Sequence, residues 1–103
     1  MKKILKEKRE KELKEKSNNI CQELIKAYEK GELPEYIEES ALSIEKDEDG
    51  DITHILFTYG GPTIYLDFED SPGVIIASHM YDKSQAAIPF SIWSDIRNEL
   101  EVL

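Results

Sequence analysis

Residues 52–81 read ITHILFTYGGPTIYLDFEDSPGVIIASHMY, and the alternation within this stretch decides the fold. Ile52–Tyr59, Thr63–Glu69 and Val74–Tyr81 each place apolar residues at every second position, the period of a strand with one buried face. Between them lie Gly60-Gly61-Pro62 and Asp70-Ser71-Pro72-Gly73, both rich in turn formers. Connections this short join antiparallel neighbours, because a parallel return needs a crossover of about a dozen residues or more. Upstream, Ala41–Lys46 reads as a further strand. It leads through Asp47-Glu48-Asp49-Gly50-Asp51, where Asp49-Gly50 suits the positive φ values of a tight hairpin. A four-stranded antiparallel meander is therefore expected. Its inner face would carry Leu42, Ile44, Ile55, Phe57, Tyr59, Ile64, Leu66 and Phe68, and its outer face His54, Leu56, Thr63, Tyr65 and Asp67.

Helical signals flank the meander. Residues 2–16, KKILKEKREKELKEK, are good helix formers with Glu-to-Lys pairs at i,i+4, but Ile4, Leu5 and Leu13 are too sparse for a continuous apolar stripe. This segment is expected to project into solvent as a charged arm (1–16) beside a single domain (17–103). From Ile20 onward, Ile20, Leu24 and Tyr28 with Cys21 and Ile25 build a broad apolar face. One helix to residue 30 is predicted, with Ser17-Asn18-Asn19 as the place for a bend or a new cap. Gly31 then terminates it, and Pro34 opens a short connector. At the other end Ile92, Trp93, Ile96, Leu100 and Leu103 recur at helical spacing after Pro89 and Ser91. The fold class is α+β, with both helices on one face of the sheet.

The chain has 103 residues, one domain's worth, with 13 Lys plus Arg against 22 Asp plus Glu and a formal charge of −9. That balance argues against direct binding to nucleic acid or anionic membranes. The charge is also uneven: residues 1–30 hold 10 basic and 6 acidic side chains, residues 31–103 only 3 basic and 16 acidic. Cys21 is the single cysteine, no 18-residue apolar run exists, and residues 1–5 return at once to charge, so the expectation is a cytoplasmic protein without disulfide, membrane span or secretory signal.

Few residues invite chemistry. The acidic run 47–51 has Ile52 where a calcium loop needs glycine, and the Gly60-Gly61-Pro62 turn lacks the lysine and helix of a phosphate loop. His54 and His79 with one cysteine are a thin supply for zinc, so no metal, cofactor or catalytic residue is assigned. The nearest thing to a catalytic set is His54 with Tyr65 or Asp67 across a strand pair, on a face expected to be shallow. An enzyme is not expected.

Thr58-Tyr59-Gly60-Gly61-Pro62-Thr63-Ile64-Tyr65-Leu66, a GGP turn between two strands followed by an acidic strand and a C-terminal amphipathic helix, resembles small acidic phage-encoded inhibitors of bacterial defence systems, anti-CRISPR proteins among them. The resemblance spans residues 51–103 and implies a non-enzymatic protein that blocks a larger host complex. Charge leads to the same kind of partner, a basic protein such as a nucleic-acid-binding complex or a nuclease. The contact residues expected are Asp47, Glu48, Asp49 and Asp51 on one turn, Asp67, Glu69 and Asp70 by another, and Tyr65 as an apolar anchor. A toxin-neutralising immunity or antitoxin-like protein is the alternative reading. Self-association as a homodimer through the basic arm is a further one.

Overall fold

The computed structural model describes residues 2–103, with side chains from residue 6 onward. Helix α1 (Lys2–Glu29) leads into α2 (Leu33–Ser40), strands β1 (Ser43–Lys46), β2 (Ile52–Thr58), β3 (Thr63–Asp67), β4 (Val74–His79) and β5 (Asp82–Ala87), and helix α3 (Phe90–Leu100). The five strands form one antiparallel sheet in the order β1-β2-β3-β4-β5. The fold is thus α+β with an antiparallel meander, of five strands rather than four.

The additional strand has a clear origin. Asp82–Ala87 contains no β-branched or aromatic residue, so its own propensity is weak. It becomes a strand because β4 offers it a full ladder, from Val74 opposite Ala87 to His79 opposite Asp82. The predicted fourth strand therefore stops at His79, and Met80-Tyr81 form the hairpin turn, with Met80 at φ +57° and both side chains exposed. Helix α2 replaces the expected connector. Pro34 sits in its first turn, where a missing N–H costs nothing, and Leu33 and Ile37, four residues apart, are fully buried.

Helix α1 runs through Ser17-Asn18-Asn19 without interruption and ends at Gly31, φ +72°. There Gly31 N–H donates to Tyr28 C=O (3.1 Å) and Glu32 N–H to Ala27 C=O (2.8 Å), the paired bonds of a Schellman cap. The segment expected to stand in solvent instead lies against β5 from Arg9 onward. Leu13 is buried, Arg9 pairs with Asp82, and Lys14 Nζ donates to the Gln85 carbonyl. A sparse stripe suffices because the inner residues of β5 that it meets, Ser84 and Ala86, are small. Ser17, also buried, turns its hydroxyl back to the Lys14 carbonyl at 3.0 Å.

The inner face carries Ile55, Phe57, Ile64, Leu66, Ile75, Ala77 and Ala86, all buried, with Leu13, Cys21, Leu24, Ile37, Trp93, Ile96 and Leu100 from the helices packed against them. Tyr36 of α2 approaches Phe57 (ring centroids 6.4 Å apart), and Trp93 of α3 meets Phe68 edge-on at 5.2 Å. Gly73 is required there, since a Cβ would come within 2.4 Å of the Trp93 ring. Two residues assigned to the inner face are elsewhere. Leu42 precedes β1 and is exposed, and Tyr59 is 81% exposed because the β2–β3 register shifts between Leu56 and Thr58, which breaks the alternation just before it.

Candidate functional site

An antiparallel meander places the β1–β2 and β3–β4 turns at the same end of the sheet. Those two turns carry most of the acidic residues singled out from the sequence. At two strand spacings they lie about 10 Å apart, so the expected separate clusters share one end of the molecule. Asp47 organises the first turn: its Oδ1 accepts from the backbone N–H of Asp49 (2.9 Å) and of Asp51 (3.0 Å). Gly50 alone takes the positive φ, +86°, where an Asp49-Gly50 pair was expected to share it. Carboxylate oxygens of Asp47, Asp49 and Asp51 lie within 4.8 Å of one another, and Glu48 is exposed beside them. In the second group, Asp67 ends β3, its Oδ1 accepts from Glu69 N–H (2.9 Å), and Glu69 and Asp70 are exposed.

The register then joins this acidic end to the outer face. Glu45 stands opposite His54, His54 opposite Asp67, Leu56 opposite Tyr65, and Tyr65 opposite Ile76. The outer assignment of His54, Leu56, Thr63, Tyr65 and Asp67 agrees with these pairings. Glu45, His54, Leu56, Tyr59, Thr63 and Tyr65 line a shallow depression of about 300 Å³. The Tyr65 ring meets His54 edge-on at 5.5 Å. Partial burial, and then the charges of Asp67 and Asp70, push the Tyr65 phenol above its ordinary pKa, so it stays a neutral donor at physiological pH. Glu45, His54 and Tyr59 complete this surface. The sequence signal for Glu45 was its outer position on β1, legible only once the hairpin register is known.

The two histidines lie on opposite faces. His79 belongs to the inner side, since it opposes Asp82, and lines a cavity of about 140 Å³ with Arg9, Lys16, Gly61 and Pro62. Arg9, in its wall, is paired with Asp82, and the GGP turn packs beside His79 (a Cβ on Gly61 would be 3.2 Å from its ring). Cys21 is buried, and burial raises its thiol pKa, which disfavours the thiolate a nucleophile needs.

Among the described residues the arginine–carboxylate ion pairs are Arg9–Asp82 and Arg97–Glu101, and His54 Nδ1 stands 3.6 Å from Glu45 Oε2. Asp47, Glu48, Asp49, Asp51, Asp67, Glu69 and Asp70 therefore have no lysine or arginine partner there. No helix among the described residues is long and apolar enough to cross a membrane. No family model, curated protein or solved structure matches this chain.

Proposed function

We propose that this chain is a non-enzymatic acidic binding protein that occludes a basic, nucleic-acid-binding partner, as an anti-defence inhibitor of the anti-CRISPR type would. The observation that supports it most is the set of seven carboxylates at one end of the sheet that have no lysine or arginine partner among the described residues, beside an outer face that presents Leu56 and Tyr65. These carboxylates steer a Lys/Arg-lined groove towards this surface, and the half-buried Leu56 and Tyr65 side chains supply contact area once it docks. An immunity or antitoxin-like protein would use the same surface against a nuclease active site, so the identity of the captured partner separates the two.

The test is capture from nuclease-treated lysate on the immobilised full chain, followed by nucleic-acid binding or cleavage assays on whatever is captured. The reading requires a basic partner whose nucleic-acid activity is blocked, release as salt rises, and loss of capture in D67K/E69K/D70K. Salt-insensitive capture, or capture unchanged by the triple charge reversal, refutes it.

A further inference from the structure

His54 occupies a position that the acidic-surface reading does not explain. It is flanked across both of its strand pairings by carboxylates, Glu45 on β1 and Asp67 on β3. One ligand atom each from His54, Asp67 and Glu69 lies within 4.8 Å of the other two. A tetrahedral zinc ion with bonds of roughly 2.0–2.2 Å holds its ligand atoms ~3.4 Å apart. The three groups therefore need to close by at most ~1.4 Å, and Glu69, exposed in the turn, has the side-chain freedom to do so. Asp67 is already oriented, because its Oδ1 is held by the Glu69 N–H at 2.9 Å.

The imidazole is about one-third exposed, yet one of its ring nitrogens is enclosed. Its Nδ1 is sealed from solvent and makes no hydrogen bond, and the nearest acidic oxygen, Glu45 Oε2, stands at 3.6 Å. A carboxylate behind one ring nitrogen, placed to orient the ring and leave the other nitrogen for an ion, is the arrangement that supports a metal-bound histidine. Tyr65, edge-on to the ring at 5.5 Å, limits its rotation. By contrast, the Asp47-Asp49-Asp51 group is wholly exposed and wholly acidic, and nothing buried is aimed into it.

We propose that His54, Asp67 and Glu69 bind a divalent transition-metal ion, with Glu45 as the residue that positions the imidazole. One nitrogen and two carboxylates select zinc over manganese by intrinsic affinity, and both over calcium and magnesium, which have no use for the imidazole. The site needs no partner and is tested without one, so its failure leaves the inhibitor reading standing, and the converse.

The experiment is titration of the full chain with zinc chloride alone in metal-free buffer. Calorimetry reads affinity and stoichiometry, and NMR follows the ring protons of the two histidines. The expected result is one zinc per chain with micromolar affinity and a shift confined to His54. His54→Ala weakens binding by ~10-fold or more and Glu45→Gln by ~10-fold, while His79→Gln changes nothing. His54 is partly exposed on the outer face, so circular dichroism should show its alanine variant folded. Three results overturn the proposal: no binding up to about 1 mM zinc, affinity unaltered in His54→Ala, or calcium bound as tightly as zinc.

Discussion

Replacing Arg9 by alanine tests whether the first helix is held to the sheet by more than its apolar stripe. Arg9 Nε lies 3.1 Å from Asp82 Oδ2, and the Asp82 side chain is only 8% exposed while that of Arg9 is 48% exposed. Breaking a fully buried pair by removing one partner costs about 3–5 kcal/mol, because a charge is stranded without water. Here the open side of Arg9 lets solvent take its place in part, which brings the expected loss to ~1–3 kcal/mol. At roughly 4–8 °C per kcal/mol for a domain of this size, the melting temperature should fall by several degrees or more. The cost is asymmetric: Asp82→Ala leaves its partner half in water and should be the milder change. The double variant should lose less than the sum of the two. Thermal and urea unfolding followed by circular dichroism on the three variants measure all of this. A shift below about 0.5 kcal/mol for Arg9→Ala, with additive behaviour in the double variant, would refute the docking of this helix segment on β5.

Further outcomes follow from the core, the phenols and the outer face. Gly73→Ala must displace the Trp93 ring, whose nearest atom is 2.4 Å from the new Cβ, and should cost ~1–3 kcal/mol in urea unfolding. Ile96→Ala, at a fully buried position, should cost ~2–5 kcal/mol by cavity formation in the same assay. The Tyr36 phenol is pushed well above its ordinary value of 10.0, first by burial and then by its hydrogen bond to Glu23. The folded state therefore binds more protons than the unfolded state above pH ~10, so stability is present below that pH and declines as pH rises through it. Tyr36→Phe should flatten this alkaline decline in melting temperature. His54→Ala and Tyr65→Phe, both on the outer face, should melt within about 0.5 kcal/mol of the parent chain, and a larger loss would mean that this face serves the core.

Much of this molecule is written in local signals. The period-two runs of β2, β3 and β4, the turns between them, the Gly31 helix stop and the Trp93-Ile96-Leu100 stripe all act through the backbone conformation of their own few residues, so sequence alone determined them. The outer placement of His54, Tyr65 and Asp67 follows from the same parity. Strand β5 does not, because Asp82–Ala87 has only weak strand propensity of its own and is ordered by the ladder that β4 presents. Helix α2 turned on whether Pro34 ends a helix or begins one, and the burial of Leu33 and Ile37 decides that. The docking of residues 9–16 depended on the small inner side chains of a strand some 70 residues away. The meander itself brings the two acidic turns to one end of the sheet, but only the tertiary structure set Glu45 opposite His54, because register assigns neighbours that no single segment specifies.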